Sequence, residues 1–304
     1  MNDFDLRQLA AFLHIAETGS FTEAARRLNL TQPALSAQIR RLEQALGERL
    51  LDRTGRGAVP TEAGLLLLDR ARQVMDGVDG IRSALAERKG VVTGHVTIGL
   101  PPSVGIFLTA PLVTELRARH PRLNLTVTEE LSGLVRDGLL GERVDVGLLY
   151  QGVVSPALHT EQVAAEPLHL IARPDAGLEP GRPVPFAAVA GRPLLLPGRR
   201  HGLRALLEAE AQRQGIALEV VVEVDSLAGL SSLTRQGMAW TIHAPSAYRD
   251  ELAAGTLVSA PLVEPAVLRE IVLAWRKDRP LSRGSAAVAE VLRMLAGRWA
   301  DQGG

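Results

Sequence analysis

The sequence predicts an α/β protein with an all-α head. Three observations carry that expectation. Over residues 1–60, apolar positions recur at helical spacing in short runs separated by small turns. Over residues 61–90, the apolar positions form one long helical seam. After Gly90, strand-like and helix-like segments alternate in β-α-β-α-β order, and then do so a second time.

The first helix carries Leu6, Leu9, Phe12, Leu13 and Ala16 on one face, and Gly19 ends it. Ser20 followed by Glu23 has the spacing of a capping box, so a second helix starts there, with Phe21, Ala24, Ala25 and Leu28 inward. A tight break falls at Asn29-Leu30. Thr31 caps a third helix, and Pro33 is tolerated in its first turn, where backbone donors are free in any case. Leu35, Ile39, Leu42 and Leu46 are expected to face inward, and Gly47 is a good stop. The run ERLLDRTGRGAVP reads as two brief strands around a Gly-rich turn, a wing. Thr61 caps the long helix. Its seam of Leu67, Ala71, Val74, Val78, Ile81 and Leu85 repeats every 3.5 residues, as in a coiled coil that pairs with another chain.

In the body, VTGHVTIGL, LNLTVTEE and VDVGLLY read as strands, with helices over SVGIFLTAPLVTELRARH and SGLVRDGLLGER. A second round begins near Glu166. It has strands PLHLIAR, PLLLP, LEVVVEV and AWTIHA, with helices FAAVAG, LRALLEAEAQRQG and SLAGLSSLTRQG between them. REIVLAWR is a further strand and SAAVAEVLRMLAGRWA the last helix. Parallel sheets with helices on both faces are expected, in two lobes joined by crossing strands. The domain boundaries read as 1–60, 61–90 and 91–304, with lobe 1 at about 91–163 and 268–304 and lobe 2 at about 164–267. The cleft between such lobes is the expected ligand site.

Composition bounds the function. The 304 residues hold 34 basic and 34 acidic side chains, so DNA contact must come from local charge. Nearly all the cations are arginine; Lys89 and Lys277 are the only lysines. The absence of cysteine excludes disulfides, thiolate chemistry and sulfur-bound zinc, and it fits a reducing cytoplasm. No metal and no cofactor is expected. The N-terminus lacks the form of a signal peptide, with Asp3, Asp5 and Arg7 early and the apolar stretch broken at His14 and Glu17. No apolar run is long enough to cross a bilayer, so no membrane partner is expected.

The segment from Phe21 to Leu46 has the geometry of a helix-turn-helix, whose second helix enters the major groove of double-stranded DNA. On the face opposite the leucines lie Gln32, Pro33, Ser36, Ala37 and Arg40; Thr31, Gln32, Pro33, Ser36, Gln38 and Arg40 are the candidate DNA contacts of this segment. Glutamine bonds an adenine edge, serine several bases, and arginine guanine or phosphate. In the wing, Arg53 and Arg56 can reach phosphates. A helical hairpin of this kind is also a common, purely structural element.

A longer pattern bears on that choice. Ala24-Ala25, the QPALS run at 32–36, Arg41-Leu42-Glu43, Gly47, Leu50-Leu51-Asp52-Arg53 and Thr61-Glu62-Ala63-Gly64 fall in one order. Together they resemble the N-terminal signature of the LysR-type transcriptional regulators. The resemblance covers the first ~65 residues in motif and the whole chain in layout. It implies a winged helix-turn-helix, a linker helix forming an antiparallel dimer coil, and a C-terminal two-lobed effector domain like periplasmic binding proteins. It also implies a homodimer or homotetramer acting in the cytoplasm on promoter DNA with an imperfect inverted repeat, with RNA polymerase as a further partner. Carried over, Gln32, Pro33 and Ser36 would contact bases, and Arg53 with the wing would hold backbone. A common variant has a basic residue after the motif serine; Ala37 stands there.

The resemblance implies a small-molecule effector between the lobes, with a helix N-terminus pointing at it. Ser103, after Pro101-Pro102, and Ser132 open helices of the first lobe, where free backbone donors suit a carboxylate. Pro197, Arg199, Arg200 and His201 precede a helix of the second lobe, and His243 ends a strand. These readings point to a small anionic metabolite. Alternatively, Ser103 and Ser132 are helix caps, the arginines are solvated surface charges, and His243 is a packed strand-end histidine. An enzyme or a transport solute-binding protein would share the α/β half. The seven scattered histidines have no metal-ligand spacing, and no nucleophile-elbow, P-loop or dinucleotide-binding glycine motif occurs.

Overall fold

A computed structural model describes residues 4–54, 57–87, 92–199 and 201–301. The chain divides into two compact units, Met1–Gly90 and Val91–Gly304.

The first unit holds α1 (Leu6–Thr18), α2 (Phe21–Arg27), α3 (Gln32–Leu46), the hairpin β1 (Leu51–Thr54) with β2 (Gly57–Pro60), and α4 (Glu62–Glu87). Local chemistry sets each boundary. Asp5 and Gln8 form a reciprocal capping box on α1, which sequence reading overlooked, and Gly19 closes that helix at φ +63°. Ser20 caps α2 by accepting from Glu23 N–H, but Glu23 turns to Arg26 and Arg27, so only half of the expected box forms. Leu35, Ile39 and Leu42 of α3 are buried against α1 and α2, which is worth ~1.5–3 kcal/mol each. Leu46, expected inward, is exposed: it sits in the last turn, past the layer that α1 covers.

The family-like triplets have structural reasons. Glu43 reaches from α3 to accept from Leu50 N–H at 2.9 Å, pinning the start of β1. Thr61 Oγ accepts from Gly64 N–H at 3.0 Å and donates to Arg49 carbonyl at 2.6 Å. Gly64 must lack a Cβ, which would stand 2.1 Å from the Leu50 carbonyl. Gly57, at φ +139°, lets Ala58 N–H reach the Gly19 carbonyl, so the wing is sewn to the turn after α1. Along α4, Leu67 and Ala71 pack into this unit's core. Val74 is 46% and Ile81 64% exposed, and the side chain of Leu85 lies outside those described.

The second unit begins with β3 (Gly94–Leu100), α5 (Pro102–Arg119), β4 (Leu123–Glu129), α6 (Ser132–Leu140), β5 (Val146–Tyr150) and β6 (Leu158–Pro167). It continues with β7 (His169–Ala172), β8 (Val184–Pro185), β9 (Pro193–Leu196), α7 (Gly202–Gln214), β10 (Glu219–Glu223) and α8 (Leu227–Arg235). The last elements are β11 (Trp240–His243), α9 (Arg249–Ala253), β12 (Val258–Val263), β13 (Leu268–Arg276) and α10 (Arg283–Asp301). One sheet has the order β4-β3-β5-β13-β6 and the other β10-β9-β11-β7-β12-β8. Each has its own apolar core.

Neither sheet is purely parallel as expected. β4, β3 and β5 are parallel, but β13 runs antiparallel to both β5 and β6. β7 likewise opposes β11 and β12. The reversal follows from topology: β13 returns from the second lobe alongside β6, which leaves the first. β6 and β12 were not foreseen. LHTEQVAAEP lacks clean alternation, and Pro261 breaks the pattern of β12. FAAVAG forms only a 3-10 turn at Phe186–Val189.

Candidate DNA-recognition and ligand-binding sites

The start of α3 is an exposed polar end on a buried stem. Thr31, Gln32, Pro33 and Arg40 are exposed, while Ser36 and Gln38 are half-buried. Thr31 Oγ accepts from Ala34 N–H at 3.4 Å, a long cap. The amide oxygen of Gln38 is enclosed without a hydrogen bond, so this residue flanks the inner face rather than the exposed one. On α2, Arg26 and Arg27 both hold Glu23, whose carboxyl is lowered to about 2, chiefly by these hydrogen bonds. Over residues 1–60, eight arginines face seven carboxylates. Asp5 is spent on a cap and Glu43 on β1, which leaves Arg40 and Arg41 exposed at mid-α3.

In the α/β unit, a cavity of about 430 Å³ opens between the lobes. Four helices begin at its wall: α5 at Pro102-Ser103, α6 at Ser132-Gly133, α7 at Gly202 and α8 at Leu227. First-turn N–H groups have no acceptor within their own helix, so the wall is rich in donors and positive potential. Two imidazoles add to it. His201 Nδ1 accepts from Leu203 N–H at 3.1 Å, and His243 Nδ1 from Ala244 N–H at 2.9 Å. In each neutral ring the proton therefore sits on Nε2. Burial, then Arg269 and His201, holds His243 well below the usual imidazole range. Burial, then Arg269, also lowers His201, with Asp225 pulling the other way. His243 is 3% exposed, and its Nε2 has no partner among the described residues.

Behind this wall lies a buried polar chain. Arg269 on β13 and Glu166 on β6 are cross-strand partners. Arg269 Nε donates to Glu166 Oε1 at 2.8 Å and Nη2 to the same oxygen; both residues are buried. Ser246 donates to the other Glu166 oxygen at 2.7 Å. The guanidinium lies 4.1 Å from the centre of the Tyr150 ring and reaches Ser103 Oγ at 3.4 Å. Ser103 and the Tyr150 hydroxyl are 2.8 Å apart, and Tyr150 N–H donates to Ser132 Oγ. Burial pushes the Tyr150 phenol up, so it stays protonated. The chain runs across the two crossing strands, where a bare charge would be costly and a paired one fixes orientation.

The comparisons with known proteins agree over the full length. The model described as "Bacterial regulatory helix-turn-helix protein, lysR family" matches residues 6–65, and "LysR substrate binding domain" matches residues 89–297. The nitrogen assimilation regulatory protein nac of Klebsiella aerogenes is 30% identical over 97% of this chain and 96% of its own. The chain belongs to the LysR family of transcriptional regulators. Its relatives also include the DNA-binding dual regulator OxyR of Escherichia coli K12, 30% identical over 96% of this chain and 95% of that one. Full-length CbnR, solved with its target DNA, shares the fold at TM-score 0.71 and 22% identity, over 98% of this chain and all of that one. Like these relatives, this LysR-family chain is a regulator with an effector-binding domain and not an enzyme or a transport protein. Among the described residues, no helix is long and apolar enough to cross a membrane, and no cluster has the makings of a metal site.

Within this LysR-family frame, the cavity gathers Pro101, Ser103, Ser132, Pro197, His201 and His243. Arg199 is exposed and not part of the wall, because the loop points it to solvent. Arg200 and Arg56 lie outside the described residues, as does the side chain of Arg53 on β1. The cap explanation for two serines fails. Ser103 is the second residue of α5 and Ser132 the first of α6; neither helix has a side-chain cap, and both hydroxyls turn to Tyr150 instead. Sequence reading missed Tyr150, Glu166, Arg269 and Ser246, and also Asp137 and Asp225 on the wall. The sequence offered little signal for the pair, since Glu166 stands in the mixed polar run LHTEQVAAEP and Arg269 beside Glu270 at the start of LREIVLAWR.

Proposed function

We propose that this regulator reads promoter DNA through the first turns of α3 and that a small anionic metabolite in the 430 Å³ cavity sets its activity. Gln32, Pro33 and Ser36 contact bases, Thr31 and Arg40 contact backbone or a guanine, and Arg53 with Arg56 of the wing holds phosphate. Gln38 is placed less favourably, being half-buried on the flank. The exposed Val74 and Ile81 on α4 support pairing with a second copy, and two such dimers make the homotetramer. The site of action is the cytoplasm, at a promoter with an imperfect inverted repeat, where RNA polymerase is the further partner.

The observation that carries the effector reading is His243: the residue is 3% exposed, it lines the cavity, and its Nε2 donor is unpartnered among the described residues, in a wall of helix starts. Such a wall suits a carboxylate or phosphate. Ligand binding that favours one arrangement of the lobes shifts the balance between regulatory states. The peroxide response named for an OxyR relative does not transfer through thiol oxidation, because the sequence contains no cysteine.

Calorimetry of the full chain against small carboxylates, phosphates, neutral sugars and amines tests this. Micromolar binding confined to anion-bearing compounds is expected. Tight binding only of neutral or purely cationic compounds overturns it. For the DNA end, anisotropy titrations should favour the chain's own promoter region over scrambled duplex, and equal affinity for both overturns the base-reading role.

A further inference from the structure

The charges on the cavity wall do not match a simple anion. Arg136 is already engaged, since its Nε donates to Asp137 Oδ1 at 2.9 Å. Arg269 lies behind the wall, matched by Glu166. That leaves Asp225, in the loop between β10 and α8. Its Oδ1 accepts from Gly198 N–H at 2.9 Å, and no cation pairs with it among the described residues. The neighbouring His201 does not serve, because burial and Arg269 keep its ring neutral. The wall therefore carries groups of opposite character. Helix starts, Ser132 and His243 Nε2 are its donors, and the Asp225 carboxylate is a charged acceptor among them.

We propose that the effector is a zwitterion of the α-amino-acid type, its carboxylate on the helix-start and His243 donors and its ammonium on Asp225. This rests on the anion-site reading above and adds the positive group. A pure anion closed into the cavity would desolvate Asp225 beside a like charge, which disfavours closure. An amino acid satisfies both at once, its ammonium the free lone pairs of Asp225 and its carboxylate the unpartnered His243 donor.

The test is calorimetry on the full-length protein with matched pairs: glutamate against glutarate, aspartate against succinate, and leucine against 4-methylpentanoate. At least one amino acid should bind at least about tenfold more tightly than its deaminated partner, a difference of about 1.4 kcal/mol. Asp225→Asn keeps the acceptor for Gly198 N–H and should reduce that preference to about twofold or less. Asp225→Ser is the second variant, with the melting temperature of each checking the fold. Deaminated acids that bind as well as their partners overturn the zwitterion but leave the anion site standing, as does a preference unchanged in both variants. Absence of binding by both members of every pair overturns the zwitterion, while phosphates and other anions in the wider panel then decide the anion site separately.

Discussion

The exposed end of α3 and the buried chain behind the cavity are both polar, yet they are built in opposite ways. Thr31, Gln32, Pro33, Ser36 and Arg40 lie within ten consecutive residues of one helix and its cap. Ser103, Tyr150, Glu166, Ser246 and Arg269 come from five separate stretches and reach one another only through the fold. The first surface keeps most of its groups in water, and on the proposed reading DNA replaces that water. The second gives up water on folding and must satisfy every group internally. Substitutions should therefore separate cleanly: affinity without stability at α3, stability before anything else in the chain.

The largest effect belongs to Arg269→Met. Among the described residues, it leaves Glu166, fully buried, with only the Ser246 hydroxyl as a side-chain hydrogen-bond partner. Removing one partner of a buried pair costs about 3–5 kcal/mol, while replacing both with apolar groups restores much of it. Urea unfolding followed by tryptophan fluorescence reports this unit, because Trp240, Trp275 and Trp299 all lie in it. Expected is a deep loss in Arg269→Met and a large recovery in the double variant with Glu166→Leu. A single variant within about 1 kcal/mol of wild type would show that the pair is not what secures the crossing strands.

The same contrast explains what the sequence disclosed. The α3 helix was legible because its period and cap are local, but Leu46, expected inward, is exposed, and Ser36 and Gln38 are half-buried. The strand-helix alternation of the body was legible too. The sense of β7 and β13 was not, since strand direction is set by which strand returns beside which. For the cavity, helix starts were found as short local signals. The salt bridge was not, because Glu166 and Arg269 are 103 residues apart. Asp225 was hidden in a loop whose acidic residue looks like any surface charge.

Next in size is Gln32→Ala. A lost bidentate base contact costs about 1–3 kcal/mol of specific affinity. Stability should move by less than ~0.5 kcal/mol, because the side chain is exposed. Arg40→Ala should instead lower the salt dependence of binding by about one counterion if the guanidinium meets phosphate. Anisotropy with promoter and scrambled duplexes across a salt series separates the two. Gln32→Ala that weakens both duplexes equally would reassign the residue to backbone contact.

A pH titration sharpens the buried side. His243 is held below its ordinary pKa by burial, then by Arg269 and His201. Below about pH 6.5 the unfolded chain takes up a proton that the folded one refuses, so stability rises with pH and is complete above that value. As pH falls from 6.5, His243 should remove about 1.4 kcal/mol per pH unit. His201 and His169 are lowered by burial and act in the same direction. Urea midpoints at pH 7.5 and 5.5 should differ clearly in wild type and less in His243→Gln. Identical differences in the two proteins would mean that the imidazole is free to protonate in place.

The smallest effects compare two threonine caps in the first unit. Thr31 makes one long bond, 3.4 Å to Ala34 N–H, in an exposed position. Thr61 accepts from Gly64 N–H at 3.0 Å and donates to the Arg49 carbonyl at 2.6 Å, so it joins α4 to the strand side as well as capping it. Cap removal costs about 0.5–2 kcal/mol, which puts Thr31→Ala at the low end and Thr61→Ala at the high end. Helical circular dichroism during thermal unfolding should rank them in that order, while DNA affinity ranks them in reverse, since only Thr31 stands beside the recognition face. If Thr31→Ala proved the more destabilising of the two, its hydroxyl would be a structural cap first, and the local, water-exposed character assigned to the α3 end would have to be given up.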